Sequence, residues 1–198
     1  MQIFKPAFLA TCIALGLTSG PLVAQEGEKM AIPSEGALAD GRLTQEEADA
    51  YAALAATQIQ KLTRVAKDEV GDELKESGVV IPAAWMMMND GEIKRVTLGK
   101  SGEQAAATMK VFMFRAAMKS LARHGKILGT AIVYAGNVED KPNIRVLAIE
   151  HEHRLGVSGV QIVPYTFANG ELSFGKPSTQ KKPYELFYDE REATQGEG

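Results

Sequence analysis

The most constraining feature of this sequence is a run of apolar segments in its C-terminal half that are separated by turns and by no helix. Strands are predicted over residues 127–135, 144–154, 160–167 and 171–175, the last of them after an Asn169-Gly170 turn. Strands that follow one another without a crossover helix pair in an antiparallel manner. The sequence therefore predicts a largely antiparallel sheet.

A long amphipathic helix is predicted before this sheet. Thr44 and Glu47 make a capping-box pattern, in which the hydroxyl and the carboxylate satisfy backbone N–H groups at the helix start. The apolar positions that recur at helical spacing are Tyr51, Leu54, Ala55, Ile59, Leu62, Val65 and Ala66. Gly71 can adopt the left-handed conformation that ends a helix, so the helix is predicted to stop there.

A hairpin and a second helix follow. Residues 79–88 and 93–98 are predicted strands, and the Asn-Asp-Gly sequence at 89–91 favours the positive φ angles of a tight turn between them. Ser101 is the predicted cap of a second helix that runs to Gly125. Its apolar positions are Met109, Phe112, Met113, Ala116, Ala117 and Leu121.

Together these elements predict an α+β fold with a mainly antiparallel sheet of five to six strands and two helices packed on a face. The predicted domain covers residues 43–187, and its element order is α-β-β-α-β-β-β. This order resembles the general plan of profilin-like, PAS-like and roadblock-like domains, and the resemblance is one of topology. Such folds serve as sensors, ligand pockets and dimerisation platforms, so the resemblance implies a binding role.

The two ends of the chain are predicted to lie outside this domain. Residues 1–24 have the pattern of a cleavable signal peptide: Lys5, then an apolar stretch, then a helix-breaking Gly20-Pro21 and a small Ala24 before the cleavage point. That stretch is shorter than the roughly 20 residues that a membrane span needs. Residues 25–42 are predicted to be a flexible lead and 188–198 a disordered tail.

Export decides which chemistry the mature chain can carry. We expect a soluble periplasmic or secreted protein without stable membrane insertion, and cleavage removes Cys12, the only cysteine. The mature chain then has no thiol for a disulfide, a metal site or a nucleophile. With 22 basic and 25 acidic residues, the whole chain also lacks the positive charge that nucleic-acid binding requires.

The sequence Glu150-His151-Glu152-His153 is the strongest candidate for a metal site. Side chains alternate along a strand, so the two histidines are predicted on one face and the two glutamates on the other. Neutral imidazole is a common ligand of zinc and copper, and His124 could approach as a third ligand. The alternative is a polar strand end in which the glutamates are solvated or paired with Arg145 or Arg154.

A second candidate site joins aromatic and methionine residues. Thioether sulfur suits copper, yet the methionines at 86–88 and those of the second helix also fit the packing of a helix on a sheet. A ligand pocket or protein interface is predicted at one methionine and three aromatic residues. They are Trp85, Met87, Phe112 and Tyr134.

No catalytic motif is complete. Gly99-Lys100-Ser101 lacks the first glycine of a phosphate loop, because position 94 is lysine, and the glycines at 156 and 159 do not match a hydrolase elbow. The sequence therefore predicts a non-catalytic exported domain that binds a small molecule or a protein, with a homodimer as one form of interaction. No cofactor is predicted. The alternative function is a zinc- or copper-binding protein or metalloenzyme that uses His151 and His153.

Overall fold

The computed structural model describes residues 44–138 and 141–188 and shows an α+β fold. The helices are α1 (Gln45–Ser77), α2 (Lys100–Glu103) and α3 (Ala107–Arg123). The strands are β1 (Ala83–Met88), β2 (Ile93–Val96), β3 (Ile127–Val138), β4 (Lys141–His153), β5 (Val157–Ala168), β6 (Glu171–Phe174) and β7 (Ser178–Lys181). The order agrees with the predicted one when the segment at 171–175 is counted as the sixth predicted strand, and α2 and β7 are additions.

The sheet is antiparallel throughout the described residues. Six strands follow the order β2-β1-β3-β4-β5-β6, and β7 pairs with β5 beyond β6. The predicted hairpin is confirmed, since β1 pairs with β2 across a turn in which Gly91 has a φ of +82°. β3, β4 and β5 form the long centre of the sheet, because each runs directly back along its predecessor.

The two long helices cover opposite faces of this sheet. α1 packs on the face that carries Trp85, Val133 and Ile149, whereas α3 packs on the face that carries Ala84 and Ile132. Neighbouring strand residues point to opposite faces, so the two sets belong to two separate apolar layers. The prediction that the helices share a face is therefore corrected.

α1 begins as predicted and ends later than predicted. Thr44 accepts a hydrogen bond from the Glu47 N–H, and the Glu47 carboxylate accepts one from the Thr44 N–H, which confirms the capping box. The helix continues through Gly71 to Gly78, whose φ is +74° and whose N–H donates to the Leu74 carbonyl. Gly71 is buried where the helix meets the sheet, and a Cβ there would lie 3.2 Å from the Phe174 ring.

The predicted second helix is divided in two. α2 starts after Gly99, so Ser101 lies inside it rather than at its N-cap, and α3 starts only at Ala107. A Cβ at Gly102 would lie 2.6 Å from the Leu98 Cβ and 2.9 Å from the Met113 methyl carbon. A glycine at position 102 therefore lets α2 lie this close to Leu98 and to Met113 of α3.

Several predictions concern residues outside those that the structure describes. The signal peptide at 1–24, the lead at 25–42 and the tail from Asp189 onward lie there. Tyr188, which was predicted to belong to the tail, is described, and its hydroxyl donates to the Arg154 carbonyl. Within the described part of the chain, none of the helices combines the length and the apolar character needed to cross a bilayer.

Candidate functional site

The predicted histidine pair lies on the α1 face of β4, and both side chains are buried. The His153 Nδ1 accepts a hydrogen bond from the Leu155 N–H at 3.1 Å, so Nε2 carries the proton and donates to the Gln58 side-chain oxygen at 2.8 Å. Burial lowers the pKa of His153 to about 4. The imidazole is therefore neutral at pH 7 and clamps β4 to α1.

The other two histidines do not complete a metal site around His153. His151 is within 3.2 Å of the Ile149 carbonyl through Nδ1, and burial lowers its pKa. His124 is exposed at the C-terminal end of α3, which packs on the opposite face of the sheet. Over 44–138 and 141–188, no three histidine, cysteine or acidic side chains form a metal-binding group. Zinc or copper binding stays a prediction, and a metal at His153 would have to displace one of its two hydrogen bonds.

The two glutamates between these histidines point to the α3 face, where both are buried. Glu150 accepts two hydrogen bonds from the Arg115 guanidinium and one from the Tyr134 hydroxyl at 2.7 Å. Burial raises the pKa of the Glu150 carboxyl, but these hydrogen bonds outweigh it and hold that pKa below its ordinary value. Burial and the bond to Glu150 raise the pKa of Tyr134 to about 12.

Glu152 holds the C-terminal segment of the described chain. Its carboxylate accepts three backbone N–H groups, from Glu185 at 2.7 Å, Leu186 at 2.9 Å and Phe187 at 3.1 Å. Lys182 places its ammonium 3.9 Å from the same carboxylate. Leu186 and Phe187 then pack into the apolar layer under α3.

These roles of Glu150 and Glu152 were not predicted from the sequence. Both glutamates were expected to be solvated or paired with Arg145 or Arg154, whereas their partners come from α3, β3 and the C-terminal segment. One signal was available: the apolar Leu186-Phe187 pair in a polar region indicates a segment that packs on the domain. Among the described residues, no buried side-chain nitrogen or oxygen lacks a hydrogen-bond partner, so these polar groups hold the fold together.

The four residues predicted to form one pocket or interface do not converge. Trp85 and Met87 are buried in the layer under α1, where the Trp85 indole N–H donates to Glu69 at 3.0 Å. Tyr134 faces the opposite layer, under α3. Phe112 is on the outward side of α3 and is 64% exposed. The prediction that all four residues share one pocket is therefore corrected. Strand alternation places Trp85 and Met87 on one face of the sheet and Tyr134 on the other, and Phe112 faces solvent.

An open cavity of about 620 Å³ lies beside the C-terminal segment, and none of the predicted site residues lines it. It is lined by Gly156, Val157, Ser158, Lys181, Lys182, Pro183 and Tyr184. Lys182 is already paired with Glu185 at 2.9 Å, and Ser158 contacts the Pro183 carbonyl. Lys182 and Ser158 are thus both held in contacts with the C-terminal segment.

The outward side of α3 has a different character. Met109 is 52% exposed and Phe112 64% exposed, and the next residue on the same side, Ala116, is also exposed. The inward side carries Val111, Phe114, Met118 and Ala122, which fill the layer above the sheet. α3 is therefore apolar on both sides in its first half.

Comparison with known proteins gives no match: no protein-family model, no curated protein and no solved structure matches this chain.

Proposed function

We propose that this protein is an exported, non-catalytic interaction domain that binds a partner through the outward side of α3. The observation that carries the proposal is the exposure of Phe112, with Met109 one turn before it. Single exposed apolar residues are common on protein surfaces. Two large ones in adjacent turns, followed by a small Ala116, make a continuous patch of the kind that marks interaction sites.

The same proposal accounts for the polar groups elsewhere. A catalytic carboxylate or imidazole needs an open position from which it can reach a substrate. Glu150 is instead hydrogen-bonded to Arg115, and Glu152 to backbone amides. His153 is hydrogen-bonded to Gln58. A binding role needs only a rigid surface, and these buried contacts supply it by fixing α3 and the C-terminal segment to the sheet.

Photo-crosslinking tests the interaction. The photoreactive residue p-benzoylphenylalanine is placed at Phe112 in the full chain, expressed in the organism that encodes it, and a matched variant carries it at Leu54. Leu54 is an exposed apolar residue on α1, which covers the other face of the sheet, so crosslinking at this position measures non-specific contact. We expect a discrete covalent adduct at position 112 and none at position 54. Equal labelling at both positions, or none at 112, would refute the proposal.

Export is tested on the same cells. Cleavage before Gln25 should leave a mature chain whose N-terminal peptide, identified by mass spectrometry, starts at that residue. A protein that keeps residues 1–24 and remains in the cytoplasmic fraction would contradict the export part of the proposal and leave the crosslinking result to stand by itself.

A further inference from the structure

A smaller cavity, of about 210 Å³, lies between α1 and β5, next to the loop that joins β6 to β7. The chain as a whole has a formal charge of −3, yet none of the residues that line this cavity is acidic. α1 and β5 supply five polar side chains to its wall. They are Gln60, Thr63, Arg64, Lys67 and Gln161.

Gln161 interrupts the apolar pattern of β5. Val163 and Tyr165 follow it at spacings of two, and both are buried in the layer under α1. Side chains two apart on a strand point to the same face, so the Gln161 amide is directed to that layer, where it is half-buried. Within the described part of the chain, its side chain forms no hydrogen bond. Polar groups withdrawn from water are normally hydrogen-bonded, so this amide is left to bind what occupies the cavity.

Arg64 supplies an available positive charge. It is exposed on α1, and over residues 44–138 and 141–188 no carboxylate lies within ion-pair distance of its guanidinium. Arg95 and Arg115 differ, because they are bound by Glu73 and Glu150. A guanidinium presents its N–H donors in a rigid fork that matches the two oxygens of a carboxylate. Arg64 can therefore bind such a group without giving up a contact within the chain.

Lys67 is already held on the wall of the cavity. Its ammonium is 3.2 Å from the Asp68 carboxylate and 5.1 Å from the centre of the Phe174 ring. The inference therefore does not need Lys67 as a ligand. Phe174, Val163 and Pro177 give the cavity an apolar side. Hydrogen-bond donors thus lie on one side of the space and apolar surface on the other.

We propose that this cavity binds a small organic carboxylate. The Arg64 guanidinium binds the carboxylate group, the Gln161 amide donates to it, and the apolar body of the ligand lies against Val163 and Pro177. A water molecule takes about 30 Å³ in the liquid, so the space has room for about seven of them. That suits a ligand smaller than the drug-sized molecules whose pockets begin at roughly 300 Å³. The site is on the face that α1 covers, so the inference does not depend on the proposed function.

An inorganic anion fits the cavity less well. Phosphate and sulfate carry oxygens on all sides, and each oxygen that leaves water needs a donor. The side chains of Phe174, Val163 and Pro177 have none to offer. A carboxylate on an apolar body directs its oxygens to one side only, which is the arrangement of donors in this cavity.

The test compares benzoate with benzamide, which has nearly the same shape and no charge. Two-dimensional NMR of the full chain, labelled with ¹⁵N, follows the side-chain amide signals of Gln60 and Gln161 during titration with each compound. We expect benzoate to shift these signals with a Kd on the order of 1 mM or lower. Benzamide should bind about tenfold more weakly, and added salt should weaken benzoate because Arg64 is exposed.

Matched variants locate the binding site. Arg64→Gln removes the charge and should weaken benzoate by about tenfold. Gln161→Leu extends the apolar pattern of β5 at similar volume and should weaken benzoate by about threefold to tenfold, the loss of one hydrogen bond. Arg154→Gln is the control, because Arg154 is exposed and does not line this cavity. Circular dichroism checks the fold of each variant, and Arg64→Gln, at an exposed position, decides if Gln161→Leu does not fold.

Other results would overturn the inference. These are amide signals that benzoate does not shift, equal binding of benzoate and benzamide, or unchanged affinity in Arg64→Gln. Tighter binding of inorganic phosphate than of benzoate at the same ionic strength would also overturn it, because the apolar side of the cavity would then have no role. An equal loss of affinity in Arg154→Gln would mean that benzoate responds to the overall charge of the chain and not to this cavity.

Discussion

At the scale of single residues, β4 shows that the face to which a side chain points could be predicted from the sequence, whereas its contact partners could not. The alternation of His151 and His153 with Glu150 and Glu152 was predicted correctly, because it follows from the period of a strand. Their partners were not predicted, because they come from segments far along the chain. Gln58, which binds His153, is 95 residues away. No local pattern contains that information.

The buried His153 makes stability depend on pH. Its pKa is lowered to about 4 in the folded chain, and an unfolded histidine titrates near about 6.5. Between these values the unfolded chain binds more protons, so the free energy of unfolding falls as pH drops through this window. We expect a loss of about 2 kcal/mol between pH 7 and pH 5, measured by urea unfolding.

Substitutions assign this loss to a residue. His153→Gln keeps a donor for Gln58 and cannot titrate, so most of the loss between pH 7 and pH 5 should disappear. His151, whose pKa burial also lowers, contributes in the same direction and accounts for a remainder. His124→Gln, at an exposed position, should behave as the parent chain does. A His153→Gln variant with the full pH dependence would show that this imidazole is not its source.

Glu152 supports a second prediction at the residue scale. Its carboxylate accepts three backbone N–H groups, and an amide cannot do the same because its NH₂ group would face a donor. Glu152→Gln should therefore lower the free energy of unfolding by about 1.5–3 kcal/mol, the range for hydrogen bonds to a charged group. Hydrogen exchange of amides 185–187 should accelerate. Glu185→Gln, at an exposed side chain, is the control; equal exchange in both variants would refute the role of Glu152.

At the scale of elements, starts and turns were predicted better than ends. The start of α1 and the hairpin turn carry their own signals, a capping box and an Asn-Asp-Gly sequence, and both are confirmed. The end of α1 was misplaced because Gly71 has two physical uses. It was interpreted as a C-cap, yet it serves the close approach of α1 to β6, which only the packed structure reveals.

Pro164 is a second residue whose place in the sheet depends on its neighbours. Because proline has no N–H to donate, it is expected at the edge of a sheet or at a bulge. It lies within β5, and its carbonyl accepts the Gly175 N–H at 2.8 Å, on the side of β6 and β7. The amide nitrogen of a strand residue points to the same side as its carbonyl. The proline nitrogen therefore faces the interruption between β6 and β7, where no donor is needed.

The contact of Gly71 with Phe174 gives the prediction for this scale. Gly71→Leu forces a side chain into the 3.2 Å approach of the ring and should lower the free energy of unfolding by about 1–3 kcal/mol. Phe174→Ala should recover part of that loss in the double variant, because it opens the space. Ala56→Leu, on the exposed side of α1, controls for the substitution itself. Additive losses in the double variant would mean that the two residues do not share this space.

At the scale of the whole molecule, one sheet serves two apolar layers. The layer under α1 includes Trp85 and Leu62, and the layer under α3 includes Met118 and Ile132. The fold class was predictable because it depends on the order and period of the elements. The assignment of the helices to opposite faces was not, because both helices are amphipathic and nothing local states which face of the sheet each one covers.

This arrangement predicts that the two layers unfold together. Trp85 is the only tryptophan and is buried under α1, so its fluorescence reports that layer alone. Met118→Ala removes a buried side chain from the other layer and should lower the free energy of unfolding by about 2–5 kcal/mol. Because β1 and β3 carry residues of both layers, the Trp85 transition in urea should shift as far as the transition seen by circular dichroism. The exposed Met109→Ala on the same helix is the control and should shift neither. If Met118→Ala moves the circular-dichroism transition and leaves the Trp85 transition in place, the layers are independent, and a partner bound on α3 could not influence the face that α1 covers.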